Sequence, residues 1–326
     1  MTPDFKIIAD SQDITAKVRD RLIELRVTDE AGQSSDAVTI ALDDRDSVIA
    51  LPRKGASLEV SLGYLGTGVA ALGKFTVDET ALSGPPDTMT IRGRAADLRA
   101  GLKSPRTRSW DQVTVGDMVA VIAAGHGYSP AVSPDLAAIQ LGHLDQTEES
   151  DLHLLTRLAA RYGAVAKPAG GRLLFVPAGE AKSATGKSLP SVALSRGDFS
   201  RWDVTLADRG RYGSVTAHWH DVTGTGQPQP VTVGEGEPVY TLRGTYRDEA
   251  EARAAARAKY EALQRGRGTI TAECGGDIRL AAEGVIVVSG IRDGVDGAWS
   301  LTHVTHVYSP VVGYRCELQG ESPKNS

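Results

Sequence analysis

Leu144-Asp145-Gln146-Thr147-Glu148-Glu149-Ser150-Asp151-Leu152-His153-Leu154-Leu155-Thr156-Arg157-Leu158-Ala159-Ala160-Arg161-Tyr162-Gly163 is where the chain stops alternating and turns helical. Ser150 is placed to cap the free N–H groups of a first turn, and the residues after it place leucines at helical spacing. Arg157 and Arg161 complement the negative end of such a helix, and Gly163 supplies the left-handed residue that ends it. The spacing therefore predicts a helix from Ser150 to Gly163.

Moving outward, a second helix is predicted over Thr114-Val115-Gly116-Asp117-Met118-Val119-Ala120-Val121-Ile122-Ala123-Ala124-Gly125. Thr114 is its cap, Asp117 favours its first turn, and Val115, Met118, Val119 and Ile122 share one face. Arg172-Leu173-Leu174-Phe175-Val176 reads as a buried strand, so residues 102–178 make a small α/β lobe. On the N-terminal side, residues 1–101 carry short period-two stretches at Val38-Ile40-Leu42, Leu58-Val60-Leu62-Tyr64, Phe75-Val77 and Met89-Ile91. Period two buries one face and wets the other. Turn residues at Asp29-Glu30-Ala31-Gly32, Leu51-Pro52-Arg53-Lys54-Gly55 and Gly84-Pro85-Pro86-Asp87 separate these stretches, as expected of an antiparallel barrel or sandwich.

On the C-terminal side, 179–189 reads as a Gly/Ser/Lys-rich linker, and strands return over 190–326 at Val215-Ala217-Trp219, Val285-Ile286-Val287-Val288, Trp299-Ser300-Leu301 and Tyr314-Cys316-Leu318. A helix over 248–265 interrupts them. Asp248 and Glu251 have capping spacing, Gly266 is its stop, and Ala252, Ala255, Ala256, Tyr260 and Leu263 form its packing face. Glu249 with Arg253, Arg257 with Glu261, and Glu261 with Arg265 have ion-pair spacing on its wet side. The fold class is α+β, mainly β, in the order β, α/β, β.

Composition agrees. The 36 glycines and 15 prolines among 326 residues supply the many turns of a β-rich chain, and the length suits two or three domains. A net charge of -5 gives no general attraction to phosphate backbones, so nucleic acid is disfavoured as a partner. No membrane-spanning run and no signal peptide are read, so synthesis in a cytoplasm is expected. Cys274 and Cys316 belong to no metal-binding motif and read as buried reduced thiols.

Motifs of chemistry are weak throughout. Ala184-Thr185-Gly186-Lys187-Ser188 resembles the end of a phosphate-binding loop, but the upstream glycine and strand are missing, so a plain loop is the better reading. His218 and His220 share one face of a strand, whereas His303 and His306 fall on opposite faces; neither group has the further ligands that a metal needs. Acidic pairs at Asp43-Asp44, Glu148-Glu149 and Asp20 with Glu24 read as solvated turns and caps. There is no GxSxG elbow. No catalytic, cofactor-binding or metal-binding residue is assigned, and no enzymatic activity is expected.

Three sets of phrases together carry a resemblance. They are Leu51-Pro52-Arg53-Lys54-Gly55 followed by Leu58 to Gly63; Leu144 to Asp151 leading into Leu155-Thr156-Arg157-Leu158-Ala159; and Trp299 through His306 into Gly313-Tyr314. The chain resembles the late control D family of tailed phages, which is related to the N-terminal hub part of type VI secretion VgrG proteins. The central phrase is the most specific, because hub proteins show a similar Q-x-x-E-S-D-x-x-x-L-x-R-L run.

The resemblance implies two tail-tube-like β-barrels around the inserted lobe. It further implies a homotrimer in the baseplate of a contractile phage tail or related injection device, joining a sixfold tail tube to a threefold spike. Three copies of two similar domains present six similar edges. Because the chain stops at Ser326 without an attached needle, the spike is expected to be a separate protein. Other baseplate proteins and a tape-measure protein are further expected partners. The runner-up is a cell-wall-binding tail module, since Leu102 to Gly142 has a helix pattern similar to a peptidoglycan-binding LysM repeat; a hub with wall-hydrolase activity is a third.

Overall fold

Alternating strands need partners for both their edges and their apolar faces, and the computed structural model shows where these residues find them. The structure describes residues 1–31, 36–95, 100–169, 171–178, 191–207, 212–220, 226–265 and 268–322. The linker over 179–189, with its loop at Ala184 to Ser188, and the helix stop at Gly266 lie outside the described residues.

The first region contains β1 (Pro3–Ala9), β2 (Gln12–Asp13), α1 (Thr15–Val18), β3 (Leu22–Glu30), β4 (Ala37–Asp43), β5 (Ser57–Tyr64), β6 (Gly68–Ser83) and β7 (Thr88–Ala95). The lobe contains β8 (Pro105–Thr114), α2 (Val115–Gly125), β9 (Ser129–Val132), α3 (Pro134–Ala137), β10 (Gln140–Ser150), α4 (Asp151–Tyr162), β11 (Ala164–Ala169) and β12 (Arg172–Pro177). The last region contains β13 (Ser191–Ser195), β14 (Phe199–Leu206), β15 (Ser214–His220), β16 (Pro228–Gly234), β17 (Val239–Tyr246), α5 (Glu249–Arg265), β18 (Gly268–Gly275), β19 (Val285–Ser289), β20 (Gly297–Ser309) and β21 (Gly313–Glu321). The chain is mainly β, with antiparallel sheets.

Contacts group the chain into two compact units. The first comprises 1–99, 190–203 and 270–320; the second comprises 100–189, 204–269 and 321–326. In the first unit the strands run in the order β14-β18-β21-β20-β3-β4-β7-β6-β5-β1-β2, with β19 paired to both β20 and β13. The β20–β3 ladder, from His303 opposite Glu30 to Tyr308 opposite Leu25, joins the early strands to the late ones. Its core is the inward set of the alternating stretches: Val38, Ile40 and Leu42; Leu58, Val60 and Leu62; Phe75 and Val77. Each such side chain contributes roughly 1.5–3 kcal/mol by leaving water.

In the second unit, β8 and β10 form an antiparallel ribbon, β11-β12-β9 a small sheet, and β16-β15-β17 another. α2 is capped by Thr114, whose hydroxyl accepts from the Asp117 amide, and Asp117 answers with a bond from the Thr114 amide. α4 starts at Ser150, whose hydroxyl accepts from the His153 amide, and ends at Gly163 in the left-handed region at φ 62°. α5 lays Ala252 and Ala256 on Val215, Ala217 and Val231 of the β15–β16 pair, with Tyr260 and Leu263 at the margin. The Asp248 carboxylate caps the Glu251 amide, while Glu251 accepts from the Arg247 amide rather than from that of Asp248. This packing, and the ion pair between Arg161 of α4 and Glu251, groups α5 with the lobe, whereas the sequence boundaries place it inside a region beginning at 190. The alanine face was legible in the sequence; the surface it would meet was not.

Candidate functional site

The phrase that opened the sequence reading folds into a buried polar corner of the second unit. The β10–β8 register runs evenly to Gln146 opposite Arg108 and then shifts, so that Glu149 faces Arg106. Glu148 takes a left-handed φ of 47° in this bulge, and its amide donates to the Thr107 hydroxyl at 3.1 Å. A bulge leaves backbone groups unpaired. Gln146, fully buried, fills that gap: its amide nitrogen donates to the Glu149 carbonyl and to Asp151 Oδ1, both at 2.8 Å. Its oxygen accepts from Arg108 Nε at 2.8 Å and Trp110 Nε1 at 3.2 Å.

Asp151 opens α4, where a helix N-terminus favours a carboxylate, and it too is buried. Arg108 Nη2 and Gln146 donate to Oδ1, His126 Nε2 lies 2.8 Å from Oδ2, and Arg106 Nε stands 3.6 Å away. Burial alone would raise its pKa, but the Gln146 and His126 bonds and the two arginine charges outweigh burial and hold it below 3.8. Arg157 clasps Glu149 with bonds of 3.0 and 2.7 Å, and Leu155 and Leu158 are fully buried below. Gln, Glu, Ser, Asp, Leu, Arg and Leu of the phrase are thus all engaged in building the turn from strand to helix. The sequence offered no sign that Arg106, Arg108, Trp110 and His126 would meet it, apart from the same-face spacing of Arg108 and Trp110 on one strand.

The two histidine pairs of the sequence fall in different units. His218 and His220 share a face of β15, the first half-buried and the second exposed. His303 Nδ1 lies 2.9 Å from Glu30 and its Nε2 2.9 Å from the Thr305 hydroxyl. His306 is buried; its Nε2 donates to the Leu280 carbonyl, so Nδ1 accepts from the Tyr314 hydroxyl at 2.7 Å, with Cys316 Sγ at 3.3 Å. Burial pushes His306 down to about 4, and Cys274 and Cys316 up to about 12. Among the described residues no group of three or more His, Cys, Asp or Glu side chains has the geometry to hold a metal.

A cleft of about 350 Å³ in the second unit runs along Gly142, α4 and the start of α5. Its acids are already paired: Asp248 with Arg247 at 2.7 Å, and Glu251 with Arg161. At one place the first unit presents apolar side chains outward. Val311 and Val312 at the β20–β21 turn are 92% and 66% exposed, and Leu65 at the β5–β6 turn is 61% exposed. The Leu65 amide donates to the Thr2 carbonyl, and Pro3 lies against Gly313, so these tips share one end of the unit. No helix among the described residues is long and apolar enough to cross a membrane.

Comparison with known proteins accords with this picture of scaffold and surface. The family described as phage tail baseplate hub (GPD) matches residues 37–311. A probable baseplate hub protein of Escherichia phage P2 is 36% identical, covering 94% of this chain and 90% of the relative. The 43 kDa tail protein of prophage MuSo2 from Shewanella oneidensis has the same fold at 14% identity, with a TM-score of 0.73 and 97% of each chain covered. The E. coli c3393 protein, a component of the type VI secretion system with structural similarity to T4 tail proteins gp27 and gp5, aligns at 13% identity. That alignment has a TM-score of 0.58 and covers 94% of this chain and 74% of the other.

Proposed function

Since the chain belongs to the phage tail baseplate hub family, with a structural role in the tail, we propose that it acts as a homotrimeric adaptor between a sixfold tail tube and a threefold spike. On this reading the two β regions, 1–101 and 190–326, would supply six edges from three copies. The observation that carries this reading is the first unit itself: one sheet built from both regions through the β20–β3 ladder, with apolar turn tips at one end. Exposed apolar groups of that kind suit protein contacts. The work is done through interfaces, without catalysis, in the baseplate of a virion tail or related injection particle. Tube, spike, neighbouring baseplate proteins and tape-measure protein are the partners.

Mass measurement in solution, with co-expression of a spike protein encoded nearby, tests it. The expected species is a trimer of the 34.4 kDa chain that retains the spike on purification. A stable monomer that never retains a spike would overturn the assignment.

One observation favours a second reading, cell-wall binding. Within the second unit, the segment similar to a LysM repeat carries α2 and α3 between the paired strands β8 and β10. Retention on insoluble peptidoglycan would support it, and clearing in a cell-wall zymogram would add hydrolysis; passage through both without effect leaves the adaptor role.

A further inference from the structure

β4 ends at Asp43, which pairs with Thr88 at the start of β7. One step beyond, the Asp44 amide donates to the Asp87 carbonyl at 3.0 Å, so the two aspartates stand opposite each other just past the ladder. Like charges in opposed positions of an antiparallel pair repel. The neighbouring acids of the same turn have been given cations: Arg45 lies 3.2 Å from Asp43, and Arg21 clasps Asp46 with two bonds of 2.7 Å. Asp44 has none. The residue is only 7% exposed, and its Oδ1 is sealed from solvent with no hydrogen-bond partner. A buried carboxylate oxygen without a protein donor is costly, and a water or a bound ion is what would satisfy it.

Asp87, on the other side of the turn, is exposed. Its carboxylate folds back over Gly84, where a Cβ would stand 2.1 Å from Oδ1, and Pro85 and Pro86 have no N–H to offer it. Both aspartates line one cleft of about 470 Å³, open to solvent, together with Ser47, Ser83 and Thr88. The Ser83 and Thr88 hydroxyls bond each other at 2.7 Å and retain lone pairs. Among the described residues every polar side chain lining the cleft therefore presents oxygen.

We propose that this cleft binds a hard divalent cation of the calcium class between the Asp44 and Asp87 carboxylates, with hydroxyls, turn carbonyls and water completing its shell. Calcium accepts six to eight oxygens in irregular geometry, whereas magnesium demands a near-ideal octahedron and keeps its waters. Two carboxylates and an open side place the affinity in the weak range, a Kd of about 10⁻⁴–10⁻³ M. The bound ion ties the turn after β4 to the β6–β7 turn. None of this depends on the hub reading.

The test uses the full chain, freed of metal with EDTA and titrated calorimetrically with calcium chloride or magnesium chloride, alongside melting curves with and without calcium. One calcium per chain should bind, more tightly than magnesium, and raise the melting temperature. Asp44→Asn and Asp87→Asn should each weaken binding roughly tenfold or more, a step of one carboxylate in the ligand count. Asp87 is exposed on a turn, so its variant keeps the test readable if Asp44→Asn folds poorly. Absence of binding heat and of any melting shift at about 10 mM calcium, above the expected Kd, would overturn the proposal. So would binding that both variants leave intact.

Discussion

Gln146 has a side chain with two donors and two acceptor lone pairs, and it makes four hydrogen bonds. A buried amide so fully used rigidifies what it touches, and losing a neighbour exposes the desolvation cost of the rest. Asp151→Ala leaves Arg108 facing a gap in buried surroundings and should destabilise the protein by about 3–5 kcal/mol in urea unfolding, the range for breaking a buried ion pair. A loss within experimental error would show that the corner is not the joint described. His306 offers a pH prediction with a defined sign. Burial favours its neutral form and lowers its pKa from 6.5 to about 4, against the opposing pull of the Leu280 carbonyl and Asp277. Its contribution is complete above pH 6.5 and is lost as pH falls from there towards 4, a total on the order of 3 kcal/mol. Urea midpoints measured between pH 7.5 and 4.5 should fall for the native chain and fall less for His306→Gln. Both thiols, held protonated and buried, should resist a thiol reagent at neutral pH and react only after unfolding.

At the scale of elements, two close fits are informative. Gly163 ends α4 at φ 62°, a conformation that costs other residues about 1 kcal/mol, so Gly163→Ala should lower stability by that amount in the same assay. Ala256 is fully buried where α5 meets β15 and β16, and Ala256→Leu should cost about 1–3 kcal/mol by overpacking. A neutral result would mean that α5 can shift on its sheet. The helices were the best-read elements. Ser150 and Gly163, Thr114 and Asp117, and the Ala252-Ala255-Ala256 face all behave as their sequence contexts predict, because capping and amphipathic spacing are local properties. The strands were legible as elements but not in their partners: nothing near Val304 indicates that β20 will pair with β3, almost 280 residues earlier in the chain. Asp44 shows the same limit. Within its sequence it is one acid among several in a charged turn, and only the position of Asp87 makes it distinct.

For the whole molecule, the chain divides into two compact units, the first holding the long sheet and the second holding α2, α4 and the cluster of α5 on β15 and β16. Calorimetry should then show more than a single two-state transition, with Ala256→Leu lowering one component and His306→Gln the other. One transition shifted equally by both would show that the units unfold together.

The sequence by itself determined the β-rich class, the three predicted helices and their caps, the inward face of each strand, and a family resemblance carried by residues 144–159 and by phrases near both ends. Periodicity and capping depend on neighbours within a few residues, so they are written locally. The tertiary structure alone decided that β3 and β20 share a ladder, that α5 packs with the lobe's unit, and that Arg108 and His126 close on Asp151. It also decided that Asp44 and Asp87 stand opposite each other across one turn. Those outcomes depend on which surfaces the whole chain leaves available for burial and pairing, and long-range contact of that kind has no signature in any one stretch of sequence.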